Sequence, residues 1–246
     1  MLIETIKKRI YKEQFQPSWL GLIVNPFFFA RKGLFFHIQN FSSEISGDVL
    51  DVGCGQKPYQ GLFNTDSYFG LELDTPENRE HKKADYFYDG ERFPFPRESF
   101  DAVIINQVLE HVFKPERFLA EVHRILRLNG KLLITVPFCW DEHEQPNDYA
   151  RYSSFGLIDL LERNGFEVIR HQKSIADIRA IFQMFGAYIF KVVNIKSSKL
   201  KVLVLMLLIG PINLIGQFLY LVTPRNEDFY LDNVVLSAKT VHKTDV

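Results

Sequence analysis

The stretch of this chain that most constrains its fold is residues 49–55, Val-Leu-Asp-Val-Gly-Cys-Gly. Apolar residues around one acid are typical of a parallel strand that is buried on both faces. Gly53 and Gly55 then allow the backbone to leave the strand steeply and to approach a ligand closely. A second acidic strand end, residues 70–74, follows about twenty residues later, the spacing at which a carboxylate meets a ribose in doubly wound folds. The two segments predict one nucleotide-like ligand at the carboxyl end of a parallel sheet.

Composition and charge exclude several classes of protein. The chain has 246 residues, 46% of them hydrophobic and 24% charged, which fits one globular domain with a helical addition. A formal net charge of -1 leaves no basic field for a polyphosphate backbone, so we expect no nucleic-acid partner. Cys54 and Cys139 form no Cys-x-x-Cys pair, which favours a reducing compartment without structural zinc. Residues 1–16 lack the features of a signal peptide, and a cytoplasmic protein is therefore expected.

Strand-like and helix-like segments alternate along the chain. This alternation predicts an α/β fold, a doubly wound and mostly parallel seven-stranded sheet with helices on both faces. The predicted strands are residues 49–52, 68–73, 85–88, 102–106, 131–136, 166–171 and 233–240. One helix is expected to begin at Pro115, with Gly130 as its C-terminal stop, and another to run from about Ser153 to Asn164.

The same pattern predicts four segments. They are an N-terminal helical segment (1–45), a cofactor-binding core (46–175), an apolar helical insertion or membrane-associating segment (176–224), and a final part (225–246) whose strand returns to the sheet. Residues 202–222 are nearly long enough to span a bilayer, although Gly210, Pro211 and polar residues interrupt them. Nearby lysines suit contact with an anionic cytoplasmic leaflet. Buried helices, an interfacial membrane helix and a transmembrane span remain as alternatives for this segment.

Residues 48–171 resemble the class I S-adenosylmethionine-dependent methyltransferases, in particular their type 11 group. The resemblance lies in the glycine turn, in the strand that begins Ser99-Phe100-Asp101 and in the turn Leu109-Glu110-His111. It implies S-adenosylmethionine as cofactor, with the glycine turn at its methionine part, Glu72 at the ribose and Asp89 at the adenine amino group. The cofactor-binding residues predicted on this basis are Asp51, Gly53, Cys54, Gly55, Glu72, Asp89, Gly90, Asn106, Gln107 and His111.

A dinucleotide-dependent oxidoreductase is the main rival interpretation of the glycine turn. It would require a third glycine for close helix packing, and position 58 is proline. Of the two acids near the end of the second strand, we expect Glu72 rather than Asp74 to bind the ribose, because Glu72 lies two residues after Gly70, as in the family.

Residues 137–153 follow the fifth strand, where enzymes of this architecture hold their substrates. Their pattern resembles that of methyltransferases found with surface-polysaccharide synthesis, which implies a sugar-hydroxyl acceptor. His143 is the predicted general base, with Asp148 or Glu142 orienting its ring. The predicted catalytic residues are thus His143 and Asp148, and the predicted substrate-binding residues are Glu142, Tyr149, Arg151 and Tyr152.

Purely structural roles are the alternative for this loop. Arg151 would then pair with Glu144 or Asp148 to make the loop rigid, or Asp148 would cap a helix. No second histidine stands at a ligand spacing from His143, so the sequence gives no support for a metal, and metal dependence stays open as an alternative.

The sequence therefore predicts methyl transfer to a small-molecule, glycan or lipid-linked acceptor, as an O-methylation in surface-polysaccharide or lipid-linked glycan synthesis. Peripheral contact with the inner face of the membrane is expected with it. One alternative is C- or O-methylation of an isoprenoid quinone, which the aromatic residues 27–29 and 35–36 would suit. The other is a non-catalytic, cofactor-binding scaffold in a glycan-assembly complex.

Overall fold

The computed structural model describes residues 12–195 and 198–240, without the side chains of residues 198, 199, 201, 202 and 205. Within these residues seven strands form one sheet in the order β3-β2-β1-β4-β5-β7-β6. The strands are β1 (Asp48–Val52), β2 (Ser67–Leu73), β3 (Tyr86–Tyr88), β4 (Phe100–Asn106), β5 (Leu126–Pro137), β6 (Phe166–Ser174) and β7 (Asp232–Lys239).

Most of the sheet is parallel, as predicted. The four pairs that join β3, β2, β1, β4 and β5 all run in the same direction. Val52 at the end of β1 lies opposite Leu71 of β2 and Ile105 of β4. β6 and β7 are antiparallel, because bonds join Leu231 to Ser174 at one end and Thr240 to Gly165 at the other. The carboxyl ends of β1, β2 and β4 therefore meet at one edge, the expected place for a ligand.

The helices follow from apolar periodicity and from their caps. They are α1 (Gly21–Val24), α2 (Phe28–Phe41), α3 (Pro76–His81), α4 (Pro115–Ile125), α5 (Ser154–Arg163), α6 (Arg179–Val192) and α7 (Ser198–Val222). α4 begins at the predicted Pro115 and buries Phe118, Leu119 and Val122, which recur at helical spacing. α5 begins after Ser153, whose hydroxyl accepts a hydrogen bond from the N–H of Gly156.

The prediction that Gly130 ends the helix from Pro115 was wrong. α4 ends at Ile125, and β5 runs from Leu126 through Gly130 to Pro137, so this strand starts well before the predicted residue 131. A β-carbon at Gly130 would lie 2.8 Å from the carbonyl oxygen of Arg127. The glycine thus permits close backbone contact inside a strand and does not stop a helix.

The chain forms two compact units. The helical unit consists of the described residues up to Phe36 with Cys139–Asp141 and Lys173–Asp232, and the sheet unit of His37–Phe138, Glu142–Gln172 and the described residues from Asn233. The core of the sheet unit is made by buried apolar residues of its strands and of α4 and α5. Every residue predicted to bind cofactor or substrate lies in the sheet unit.

In the helical unit, α7 packs against α1 and against α6. The Asn213 side-chain amide donates to the carbonyl oxygens of Leu22, within α1, and of Asn25, directly after it. A β-carbon at Gly216 would lie 2.8 Å from Phe182 Cβ, so glycine allows α7 to approach α6.

Residues 202–222 lie within α7, which continues through Pro211. α7 is buried at Ile209 and Asn213, whereas a row of leucines and Phe218 along it is exposed. Among the helices of the described residues, none combines the length and the apolarity of a segment that crosses a bilayer.

Candidate active site

The turn after β1 is built by two glycines with positive φ, Gly53 at +69° and Gly55 at +54°. Glycine adopts this conformation without the steric penalty that a β-carbon brings. The Gly53 N–H donates to the carbonyl oxygen of Leu71, and a β-carbon at Gly53 would lie 2.3 Å from Val108 Cγ2. At Gly55, nothing lies within 4 Å of the position that a β-carbon would take. The turn is therefore packed at its start and open at its end, where a ligand can contact the backbone.

Glu72, near the end of β2, is the carboxylate that contacts this turn. Its Oε1 accepts a hydrogen bond of 2.6 Å from the Gly55 N–H, and only 8% of the residue is exposed. Burial raises the pKa of Glu72, and the bond from Gly55 opposes that rise. Asp74 is instead held by Arg79 through both carboxylate oxygens, at 2.5 and 2.8 Å. The geometry thus favours Glu72 over Asp74 as the ribose acid.

Asp51 and Cys54 are buried beside the same turn. The Tyr68 hydroxyl donates to Asp51 Oδ2 at 2.7 Å, while burial raises the pKa of Asp51 to about 7. Burial also raises the pKa of the Cys54 thiol to about 12, so the thiol stays protonated at neutral pH. A thiolate is required for nucleophilic chemistry, and Cys54 therefore serves as a packing residue of the turn.

Asp89 and Gly90 form an exposed turn after β3. Asp89 Oδ1 accepts hydrogen bonds from the backbone N–H groups of Arg92 and Glu91, at 3.0 and 2.8 Å, and these bonds lower the pKa of Asp89. Gly90 has a φ of +89°, which this tight turn requires. Both bonds use Oδ1, so an amino group of a ligand would bind Oδ2.

Asn106 and Gln107, at the end of β4, are linked through Thr135 of β5. The Thr135 hydroxyl donates to Asn106 Oδ1 at 2.7 Å, and Gln107 Nε2 donates to the same hydroxyl oxygen at 3.2 Å. Gln107 has a φ of +56°, which turns the chain from the strand into the short helical turn Leu109–His111. These contacts fix the direction in which the chain leaves β4 toward His111.

In the loop after β5, His143, Asp148 and Arg151 form one hydrogen-bonded group. Asp148 Oδ2 lies 3.3 Å from His143 Nδ1 and accepts the His143 backbone N–H at 2.9 Å. Arg151 binds both oxygens of Asp148, at 2.6 and 2.7 Å, and these bonds strongly lower the pKa of Asp148. Asp148 is therefore a fixed anion that orients the imidazole. The alternative of Asp148 as a helix cap was wrong, since Ser153 caps α5.

The structure also places His111 beside His143, with ring centroids 4.8 Å apart and ring planes at 77°. His111 Nδ1 lies 2.6 Å from the carbonyl oxygen of Asn147, and Nε2 lies 3.9 Å from Oε1 of the fully buried Glu110. The Tyr149 N–H donates to the Glu110 carbonyl oxygen and joins the two loops. Sequence analysis missed this pair, although both loops follow neighbouring strands, β4 and β5, at one sheet edge.

The other predicted substrate residues differ in exposure. Tyr149 is half exposed, and its ring meets the exposed ring of Phe113 edge-on at a centroid distance of 5.2 Å. Glu142 is exposed and accepts a hydrogen bond from Gln145. Tyr152 packs against the core of the sheet unit, and burial raises its pKa to about 12. Phe113, which sequence analysis did not select, therefore joins Tyr149 as an exposed aromatic contact near the histidines.

Comparisons with known proteins agree with this geometry. Residues 50–134 match the family model described as a methyltransferase domain. The chain is 29% identical over 162 residues to a probable S-adenosylmethionine-dependent methyltransferase of Mycolicibacterium smegmatis, covering 60% of this chain and 62% of that protein. It is 32% identical over 113 residues to a fatty-acid O-methyltransferase of the same organism, covering 41% of each. A solved methyltransferase from Archaeoglobus fulgidus, described as SAM-dependent, has a similar fold, with a TM-score of 0.53 at 15% identity over 94% of this chain and 99% of that one.

The fold, the glycine turn and these comparisons are those of a methyltransferase domain. The matched domain and these relatives support S-adenosylmethionine-dependent methyl transfer, with S-adenosylmethionine as the cofactor. The chain spans less than two thirds of the length of both Mycolicibacterium relatives. The matched residues 50–134 contain the glycine turn, Glu72 and Asp89 but end before the loop of His143.

Proposed function

We propose that this enzyme transfers a methyl group to a hydroxyl of a glycan or lipid-linked glycan in the synthesis of a surface polysaccharide. The observation that carries the proposal is the group of His143, Asp148 and Arg151 after β5. A sugar hydroxyl is a weak nucleophile while it keeps its proton, so O-methylation needs a group that activates it. Asp148 engages Nδ1 of His143, and Nε2 is then the nitrogen that acts toward the acceptor.

The residues of the chain chiefly bind the cofactor and the acceptor and orient them toward each other. Bound S-adenosylmethionine supplies an already activated methyl group. Glu72 and the Gly55 backbone would hold its ribose and amino-acid parts, and Asp89 would bind the adenine amino group. Tyr149 and Phe113 offer aromatic faces to the sugar ring. Rate then comes mainly from holding the acceptor oxygen in line with the methyl group.

An exposed apolar surface of the helical unit supports a lipid-linked acceptor and peripheral membrane contact. We call it the apolar face; its residues are Ile181, Phe185, Tyr188, Val192, Leu203, Leu207, Leu214, Phe218 and Leu221. Their spacings of three, four and, from Leu207 to Leu214, seven positions place them in one stripe along α6 and one along α7. The fatty-acid O-methyltransferase among the relatives has a lipid substrate by its name.

The charge of the same segment also supports peripheral membrane contact. Residues 178–226 contain no Asp or Glu, whereas their basic residues are Arg179, Lys191, Lys196, Lys199, Lys201 and Arg225. A segment whose sequence has basic but no acidic residues, with exposed apolar side chains, suits the interface of an anionic bilayer; Arg179 and Lys191 also pair with Asp177 and Asp141.

Methylation of a quinone ring is the second candidate, favoured by the exposed rings of Phe113 and Tyr149, which could stack on a flat acceptor. The aromatic run 27–29 no longer supports it. Phe28 and Phe29 are buried in the core of the helical unit, and Phe27 contacts Phe190. The glycan proposal therefore ranks first.

The test follows labelled methyl groups from S-adenosylmethionine into extracted polysaccharide, lipid-linked glycan and quinone fractions. We expect label in a glycan-containing fraction that resists mild alkali, because an ether survives where a fatty-acid methyl ester is cleaved. Label only in quinone, or in no fraction, would contradict the proposal, and the second result favours a non-catalytic scaffold.

His143→Ala tests the residue that carries the proposal. It should lower kcat by about 100-fold or more, since a positioned acid–base group contributes roughly 10²–10⁴-fold. Cofactor affinity, measured by calorimetry, should change little. The matched control is His81→Ala, which removes an exposed histidine outside the site and should leave kcat unchanged. A kcat equal to that of the wild type in His143→Ala would refute the assignment.

A further inference from the structure

We propose that Glu110, His111 and His143 bind a divalent transition-metal cation, which holds and activates the acceptor hydroxyl. Each residue offers one ligand atom, and the three atoms lie within 4.8 Å of one another. The catalytic role of the cation rests on the proposed function, whereas its binding does not. The absence of sequence support for a metal rested on His143 lacking a histidine partner, and the fold supplies His111.

Both histidines have the hydrogen bonds typical of metal ligands. A ligating histidine usually donates one ring N–H to a carbonyl or carboxylate, while its other nitrogen binds the metal. Nδ1 of His111 lies 2.6 Å from the carbonyl oxygen of Asn147, and Nδ1 of His143 lies 3.3 Å from the Asp148 carboxylate. The cation would therefore take Nε2 of each ring.

The partners of the histidines are themselves fixed. Asp148 is held by Arg151 on both oxygens, and only 3% of its side chain is exposed. Such a rigid carboxylate behind a histidine orients the ring and raises the basicity of the ligating nitrogen. The residues predicted to be catalytic, His143 and Asp148, are therefore also arranged as a metal ligand and the carboxylate that orients it.

Glu110 would supply the carboxylate ligand of the proposed cation. Its side chain is fully buried, and Oε1 lies 3.9 Å from His111 Nε2. A buried carboxylate is stabilised strongly by a nearby cation, because little water competes for its charge. The exposed Glu144 has Oε2 at 3.9 Å from the same nitrogen and provides a further oxygen on the open side.

The three ligand atoms need to move only a short distance to bind one cation. Ligands at 2.0–2.2 Å from one cation lie roughly 3–3.4 Å apart, so atoms that lie within 4.8 Å of one another must approach by at most about 1.5 Å. Side-chain rotation supplies such a shift. Two imidazoles with one carboxylate favour Zn²⁺, Mn²⁺ or Fe²⁺ over Ca²⁺ and leave positions open for acceptor oxygens. Two neighbouring hydroxyls of a sugar fit such open positions, and the substrate class is therefore a vicinal diol.

In this form of the site His143 acts as a ligand, and the cation lowers the pKa of the acceptor hydroxyl. The acceptor oxygen forms the bond to the methyl carbon as the carbon–sulfur bond breaks. The electron pair of that bond stays on sulfur, whose positive charge is lost, and the hydroxyl proton passes to water. Charge and atoms balance without an oxidant or reductant.

The experiment titrates the chelator-treated full chain with Mn²⁺ and Zn²⁺ by calorimetry and with Co²⁺ by visible absorption. We expect one bound equivalent, and affinity at least tenfold weaker in His143→Ala and in Glu110→Gln, because each loses one of three ligands. His81→Ala, which removes an exposed histidine, should bind as the wild type does. Circular dichroism identifies any variant that fails to fold, and His143→Ala, in a loop, keeps the test decisive if Glu110→Gln unfolds.

No saturable binding at millimolar cation, or equal affinity in His143→Ala and the wild type, would overturn the inference. The methyl-transfer assay, run before and after chelation, separates failure of the metal inference from failure of the proposed function. If methyl transfer to glycan proceeds unchanged after chelation, the catalytic role of the cation is refuted and the proposed function stands. If the cation binds with loss in the variants and no fraction is methylated, the site stands and the proposed function fails.

Discussion

Glu72 and Asp74 are two acids of the same strand end whose partners give them different roles. Glu72 contacts the glycine turn, whereas Asp74 is neutralised by Arg79. We predict that Glu72→Gln weakens S-adenosylmethionine binding about tenfold to 100-fold, since a hydrogen bond to a charged group contributes roughly 1.5–3 kcal/mol. Calorimetry measures the effect, and Asp74→Asn is the control, with affinity near that of the wild type. Equal losses in both variants would remove the distinction between the two acids.

Asp51 makes stability depend on pH in a defined direction. Its pKa is raised by burial to about 7, above its usual value of 3.8, so between these values the folded state holds a proton that the unfolded chain has released. The stabilisation from this group is therefore complete below pH 3.8 and is lost as the pH rises from there toward 7. Asp51→Asn cannot titrate, and urea unfolding from about pH 5 to pH 8 should show it gaining about 2–3 kcal/mol relative to the wild type. If the free energies of unfolding of Asp51→Asn and of the wild type changed with pH in the same way, Asp51 would not be a buried carboxyl that titrates in this range.

At the residue scale, the sequence pattern identified residues at the ends of two adjacent strands and missed a pair of histidines that two loops bring together. Gly55 and Glu72 were predicted together because the carboxyl ends of parallel strands share an edge. His111 and His143 sit in different loops, and their contact depends on how the loop of Asn147 folds onto the Leu109–His111 turn. No periodicity encodes that contact.

At the scale of elements, the two glycines of the β1 turn should respond differently to alanine. Both have positive φ, which costs an alanine roughly 1–2 kcal/mol. Gly53→Ala would add a clash with Val108, whereas Gly55→Ala extends into open space. We therefore predict that Gly53→Ala lowers the thermal midpoint more, and that Gly55→Ala loses more cofactor affinity than stability. Thermal unfolding and calorimetry on both variants decide this, and the reverse ranking would show that the open side is not the ligand side.

Elements were predictable where one physical constraint dominated. α4 was predicted from its apolar spacing and Pro115, and the buried strand β1 from its apolar run. The start of β5 was missed, since Asn129 and Gly130 look like the end of a helix. Asn129 does have a positive φ, but pairing of Leu126 with Phe100 of β4 continues the strand. Tertiary pairing overrides local preference there.

On the scale of the whole molecule, the seven-stranded α/β fold was confirmed because alternating elements admit few topologies. The helical unit was harder to predict. It joins segments far apart in the chain, as when Gln183 donates to the carbonyl oxygen of Pro26 and Asn213 to that of Leu22. The four sequential segments proposed from the sequence remain a prediction.

The apolar face makes a prediction that concerns the whole protein. If it meets a membrane, the wild type should co-sediment with vesicles that contain anionic lipid, and less so at high salt, because headgroup attraction is screened. The double variant Leu207→Glu with Phe218→Glu places two negative charges on residues that are 67% and 62% exposed, and should reduce the bound fraction about tenfold or more. The matched control places the same charges at Leu128 and Phe155, 51% and 83% exposed in the sheet unit, and should bind as the wild type does. Equal binding of both double variants, or a wild type that stays in the supernatant, would show that this face does not meet lipid.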